Sequence, residues 1–300
     1  MSLSVGIVGL PNSGKSTLFN ALLSRQIAQV AEYPFTTIEP NTGVVEVPDE
    51  RLDKLVQLIK PEKSVPAAIK FVDIAGLVKG AHQGEGLGNK FLSHIREVDA
   101  IVHVLRQFEN PNVAHVHDKI DPKEDAEIVN LELELAEIKK PMIYVLNVDE
   151  GQLKEKLSNH LIIQSSNQLI VICAKLEADL VDLSVEERKE YLKEAGVGES
   201  GLDKLIKAAY KLLDLITFFT IKGGKQVQAW PIKQGSTAFD AAGIVHTDFA
   251  QGFIKAEVTA FNDLEKAESW RKAQEMGKTR LEGRDYVVRD GDVVEFKFSV

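Results

Sequence analysis

Cysteine occurs once in 300 residues, at Cys173, which excludes an internal disulfide framework and suits a reducing compartment. No apolar stretch approaches the roughly 18 residues that a membrane span needs, and no apolar run precedes the first strand-like segment in "MSLSVGIVG". Repeats and low-complexity segments are missing too. So is a basic excess: the net charge is −9, and from Thr217 to Val300 twelve Lys and Arg balance twelve Asp and Glu. The acidic surplus therefore lies in residues 1–216, and any RNA binding would need a local basic patch rather than a global field. These absences lead to the expectation of a soluble, cytoplasmic protein, a monomer with no membrane or DNA partner. Its length suits about two domains.

What is present is a regular alternation. "SVGIVGL", "AAIKFVDIAGL", "AIVHVLRQF", "PMIYVLNVDE" and "QLIVICAKLE" are apolar, β-branched runs ending in polar residues. Helical patterns such as "GNKFLSHIREV" and "GLDKLIKAAYKLLDLI" lie between them. The fold class expected is α/β: a mainly parallel sheet with helices on both faces, whose ligand lies beyond the carboxyl ends of the strands. After "LLDLITFFT" the texture changes to short alternating strands with Gly turns, predicting a small α+β domain. The expected domains are thus 1–216 and 217–300. The acidic run "EDAEIVNLELELAE" reads as a solvated helix face.

The motif that carries chemistry is Gly9-Leu-Pro11-Asn12-Ser13-Gly14-Lys15-Ser16, followed by Thr17. It fits G-x4-G-K-[ST], a phosphate loop whose glycines let backbone N–H groups curl around phosphate at a helix N-terminus. Lys15 is expected to reach the β- and γ-phosphates, and Ser16 to ligate Mg²⁺. Asp73, ending an apolar strand, would hold Mg²⁺ through a water, with the Gly76 N–H sensing the γ-phosphate. "YPFTTIEPN" supplies Thr37, or in reserve Thr36, to close over the metal. The five glycines from Gly76 to Gly88 read as a switch loop.

The base is the open question. Guanine-specific relatives of this loop use N-K-x-D, whereas here the strand ends in Asn147-Val148-Asp149-Glu150. Lysine becomes valine and the final acid is one methylene longer, a shift of about 1 Å in a bidentate acceptor. Each such pair carries roughly 1–3 kcal/mol of discrimination. Guanine reading should be lost, while Asn147 offers a donor and an acceptor that match adenine. Asp149 stays open as a shifted guanine reader. Cys173, Ala174 and Lys175 fit the loop bordering the base, with the lysine stem packing on it.

Together these stretches resemble one family, the YchF-type Obg-like ATPases. The resemblance rests on "GIVGLPNSGKSTLFNAL", "YPFTTIEPNTGVV", "FVDIAGLVKGAHQGEGLGNKFL", the N-x-x-E ending and "LDLITFFTIKGGKQVQAW", and it covers nearly the whole chain. It implies a P-loop G domain with a helical insertion and a C-terminal TGS domain of β-grasp fold. It further implies preference for ATP over GTP, slow hydrolysis and association with ribosomes or ribosomal RNA. The family's long helical hairpin would fall around 118–140, where "DPKEDAEIVNLELELAEIKKPMIYVLN" leaves room for only a short insertion.

Leu77 follows the DxxG run where many GTPases carry a glutamine that orients water. The substitutes are K⁺ ligated by Asn12, or a histidine, His115 first, with His117 and His82 behind it. Two other classes remain open: a GTPase switch, and a ribosome or RNA adaptor using ATP as a ligand. The adaptor would rely on Lys266–Arg284, which holds six basic and three acidic residues and Trp270.

Overall fold

The computed structural model describes residues 3–29, 41–74, 87–111, 113, 119–154 and 168–299. The chain divides into two compact units, Met1–Val45 with Ile69–Leu213, and Glu46–Ala68 with Asp214–Val300. The first half of the chain runs β1 (Ser4–Val8), α1 (Lys15–Gln29), β2 (Thr42–Glu46), α2 (Glu50–Ile59), β3 (Lys63–Val65), β4 (Ala68–Asp73), α3 (Leu87–Glu97), β5 (Ala100–Arg106), α4 (Pro122–Leu135) and β6 (Met142–Asn147). There follow β7 (Leu169–Ile172), α5 (Ala174–Asp179), α6 (Val185–Glu194), α7 (Gly201–Leu212), β8 (Leu215–Lys222), β9 (Gln226–Lys233), α8 (Ala238–Val245) and α9 (Thr247–Gln251). The chain ends with β10 (Phe253–Ala260), α10 (Phe261–Ala267), α11 (Trp270–Glu275), β11 (Arg280–Glu282) and β12 (Asp292–Phe298).

The first unit is the expected α/β sheet, in the order β2-β4-β1-β5-β6-β7. The pairs β4–β1, β1–β5, β5–β6 and β6–β7 are all parallel. Every residue of β1 and β5 is buried, as a strand covered on both faces must be. The register sets Ile7 against Asp73, Arg106 against Asn147, and Asn147 against Ile172. The carboxyl ends of β1, β4, β6 and β7 therefore finish together, and the candidate motifs with them. The described part of 118–140 contains the single helix α4, capped by Asp121, whose carboxylate accepts from Lys123 N at 3.1 Å and Glu124 N at 3.2 Å.

That helix corrects one expectation. Its acidic run is not a solvated face throughout: Asp125 and Glu132 are buried beside Ala126, Val129 and Leu133, whereas Leu131 and Leu135 are about half exposed. The apolar stripe that packs on the sheet passes through these two acids, so residue type alone does not place the inner face. α7 likewise stops sooner than its apolar pattern suggests. Asp214 takes φ 59°, which a helix cannot accommodate, and Leu215 begins β8.

The second unit is a sheet in the order β11-β10-β12-β8-β9-β3. β8 and β9 form an antiparallel hairpin, β12 lies parallel to β8, and β10 runs antiparallel to β12 and β11. Gly223 and Gly224, at φ 57° and 71°, turn the hairpin, and such paired positive φ values match the twist of the strands. α8 follows the hairpin and buries Ala238, Ala241 and Ala242 against Phe218, Ile232, Val258 and Phe296. Hairpin, helix and a central parallel strand pair make a β-grasp.

Residues 46–68, expected within the first domain, belong to this second unit. β3 pairs with the outer edge of β9, and α2 packs on β9 and α10. An open strand edge and an uncovered apolar helix face both favour this docking, through Leu52 and Leu55 of α2. Arg51 clamps the segment. Its guanidinium bonds Asp49 at 2.7 and 2.9 Å and Asp290 at 2.8 and 3.2 Å, and lies 5.5 Å from the centroid of the Phe219 ring. Burial alone would lower the pKa of Arg51, but the hydrogen bonds to Asp49 and Asp290 outweigh it and hold the group above its ordinary value. Arg51→Ala is expected to destabilise this unit by about 1–3 kcal/mol, read as a lower denaturant midpoint for a probe such as Trp230 fluorescence. An unchanged midpoint would show that apolar docking of α2 suffices.

Candidate functional site

The loop after β1 is shaped by two glycines. Gly9 takes φ 153°, and a Cβ there would press on the carbonyl of Val104 and lie 2.9 Å from Ser13 Oγ. Gly14 takes φ 94°, and its Cβ would run into the side-chain amide of Asn147. Backbone therefore sits where any side chain would block it, which leaves N–H groups to face an anion. Asn12 has φ 61°, a left-handed conformation that asparagine tolerates, and its residue is exposed. Pro11 is half-buried, Ser13 is buried and Thr17 is exposed on the first turn of α1.

Lys15 is buried, with Nζ donating to the Leu10 carbonyl at 2.7 Å. Burial pushes its ammonium down to about 8, against the opposite pull of Asp73. Ser16 Oγ donates to Asp73 Oδ2 at 3.0 Å, which brings together two groups 57 positions apart. Burial raises the Asp73 pKa, and the Ser16 bond and Lys15 lower it in part. The other oxygen, Asp73 Oδ1, is buried with no hydrogen-bond partner among the described residues. A hydroxyl beside a carboxylate with an unused buried oxygen suits a hard dication such as Mg²⁺. The fold generally uses that ion. No cluster of three or more His, Cys, Asp or Glu side chains poised for another metal occurs among the described residues.

The carboxyl end of β6 is organised by Asn147. Its Nδ2 donates to the Ser13 carbonyl at 3.0 Å and its Oδ1 accepts from Ala174 N at 3.0 Å. Both ends of this amide thus tie the phosphate loop to the Cys173–Lys175 loop, a use that the adenine expectation did not include. Val148 is buried. Asp149 Oδ2 accepts from Glu109 N at 3.0 Å, and Glu150 Oε1 accepts from the Tyr191 hydroxyl at 2.8 Å. Cys173 caps α5, its Sγ 3.5 Å from Leu176 N, and burial raises its thiol pKa, as a structural residue requires. Lys175 is exposed. Thr36, Thr37, Gly76, Leu77, His82, His115 and His117 lie outside the described residues.

Sequence reasoning missed Phe108, Arg106 and Tyr191. Phe108 Cε1 lies 3.7 Å from where a Gly14 Cβ would stand, and the buried Arg106 guanidinium is 4.5 Å from the Phe108 ring centroid. An aromatic residue two positions after an apolar strand was the available signal. The basic stretch 266–284 is locally compensated: Arg271, Lys272, Lys278 and Arg280 each have a carboxylate partner at 2.9–3.6 Å. Arg284 lies over Phe239 at 4.2 Å, and Trp270 is half-buried.

Comparison with known proteins adds two family profiles, one described as "50S ribosome-binding GTPase" over residues 4–148 and the YchF-GTPase C-terminal profile, described as "Protein of unknown function (DUF933)", over 215–299. The chain is 44% identical to the protein named ribosome-binding ATPase YchF of Bacillus subtilis, all of both chains being covered over 368 aligned positions. It is 41% identical to the one of Escherichia coli O157:H7 over 365 positions, again with full coverage of both. Both alignments are longer than this chain, so these relatives have positions without a counterpart here. A solved structure titled as the YchF GTPase of Schizosaccharomyces pombe superposes with a TM-score of 0.86 at 32% identity, covering 99% of this chain and 98% of that one.

Two outcomes follow from the site. Because free Lys15 titrates at about 8 and a bound phosphate holds it protonated, polyphosphate affinity is full below that pH. It should fall roughly tenfold per pH unit above it, with uptake of one proton visible by calorimetry in buffers of different ionisation enthalpy. Asn147→Ala strands the Ser13 carbonyl and the Ala174 N–H and should cost about 2–4 kcal/mol of stability, measured by thermal unfolding without ligand.

Proposed function

We propose, since the chain belongs to the YchF family, that it is a ribosome-associated P-loop ATPase of the cytoplasm. It would hydrolyse ATP slowly to ADP and phosphate, as a conformational switch in translation or stress regulation. The observation that carries this reading is the meeting of Lys15, Ser16 and Asp73 beneath a glycine-shaped loop, with one Asp73 oxygen buried and unused.

In this reading Ser16 and Thr37, with Asp73 through a water, would hold Mg²⁺, which would supply charge neutralisation to the phosphates. Lys15 exchanges the Leu10 carbonyl for phosphate oxygens, and backbone N–H groups from Ser13 to Thr17 cradle the β-phosphate. Gly76 N–H senses the γ-phosphate. His115 is assigned the attacking water, with K⁺ at the Asn12 side chain as the second source of charge neutralisation. Leu77 cannot hydrogen-bond water, which supports a slow enzyme whose rate a partner raises. The base is assigned to the surface made by Asn147, Val148, Glu150 and the Cys173–Lys175 loop. Val148 in place of lysine and the lengthened acid Glu150 support adenine over guanine.

A GTPase switch is the second reading, favoured by Asp149 and by the description of the structurally similar fission yeast protein as a GTPase. Calorimetric titration with non-hydrolysable ATP and GTP analogues, with Mg²⁺ and K⁺ present, separates the two. ATP tighter by tenfold or more, about 1.4 kcal/mol, is expected; equal or GTP-favoured binding sinks the ATPase reading. Asp73→Asn should abolish turnover. Were the protein an adaptor, ribosome co-sedimentation and the cellular effect would both survive that change; for a switch the cellular effect is lost. Replacing K⁺ by Na⁺ should slow hydrolysis, and Asn12→Ala should remove that difference.

A further inference from the structure

Two carboxylates follow Val148, and both are engaged. Asp149 Oδ2 takes the Glu109 N–H at 3.0 Å, and Glu150 Oε1 takes the Tyr191 hydroxyl at 2.8 Å across 41 positions of chain. Tyr191 is not placed by chance. α6 begins with a capping box between Ser184 and Glu187, and Arg188 anchors it by donating to the Leu180 carbonyl at 3.1 Å. The neighbouring Leu192 is buried in one cluster with Val148, Cys173 and Leu176, the residues that flank the base surface. The bond to Glu150 raises the Tyr191 pKa, so its proton stays on the phenol and Tyr191 remains the donor.

A guanine edge offers two adjacent N–H donors and needs both oxygens of one carboxylate. An adenine edge offers a single exocyclic amine beside an acceptor nitrogen, for which one oxygen is enough. We propose that Tyr191 is a specificity-determining residue: its bond to Oε1 fixes the plane of the Glu150 carboxylate, so that the group is not free to turn both oxygens to the paired donors of guanine but can still offer one to the single amine of adenine. Tyr191 acts through Glu150 and is a positioning residue. The inference rests on the proposed location of the base at Asn147–Glu150.

The test is titration of non-hydrolysable ATP and GTP analogues into the wild type, Tyr191→Phe, Glu150→Ala and the double variant. Tyr191→Phe keeps the ring and is expected to lower the ATP-over-GTP affinity ratio by about three- to tenfold, mainly by improving GTP binding. A merely structural role would weaken both nucleotides equally and leave the ratio alone. In the Glu150→Ala background the same change should have no further effect on the ratio. A wild type that favours ATP with a ratio unmoved by Tyr191→Phe, or a shift that persists without Glu150, overturns this inference alone. A wild type that binds GTP as tightly as ATP overturns the base reading, and the inference with it.

Discussion

Asn147 joins three loops that come from different strands, two through its side chain and one through its backbone carbonyl. It is buried, so its donor and acceptor must be matched inside the protein. The donor goes to Ser13 in the loop after β1, and the acceptor takes the N–H of Ala174 after β7. The carbonyl of the same residue takes the N–H groups of Gln107 at 2.8 Å and Phe108 at 3.1 Å, after β5. Gly14 packs so closely on this amide that no other residue fits. One residue thus ties the phosphate loop to the loops after β5 and β7.

Electrostatics build on that geometry. The chain is acidic overall, yet the phosphate loop buries a cation, Lys15. Lys15 is held without a full counter-ion, satisfied by a carbonyl and opposed at a distance by Asp73. An anion that brings its own charge relieves the desolvation of Lys15, and this favours triphosphate over water in the loop. Asp73 is the reverse case, a carboxylate partly deprived of water whose remaining oxygen looks for a cation. The two groups prepare one site for opposite charges.

The topology links this site to the β-grasp unit by covalent connection. Between β2 and Asp73 the chain leaves the first unit at Glu46 and returns at Ile69, having contributed α2 and β3 to the second. Arg51, through Asp49 and Asp290, secures that excursion within the β-grasp. The strand that delivers Asp73 to Ser16 is therefore the continuation of a segment folded into the other unit.

Local chemistry was enough to read much of this from the sequence. The G-x4-G-K-S run, the strand-end Asp73 and the N-x-x-E ending are contiguous patterns whose geometry follows from a strand, a tight turn and a helix N-terminus. The alternation of apolar runs with helical periods likewise implies a parallel sheet, because both faces of each strand must be covered. Those features were determined by residues near one another in the chain. The packing of α4 on two of its acids, the capture of residues 46–68 by the β9 edge, the engagement of both ends of Asn147 and the Tyr191–Glu150 bond were decided by tertiary structure alone. The last three join groups tens to hundreds of positions apart, and all four depend on which faces, open edges, donors and acceptors the chain brings together, a condition that exists only once it has packed.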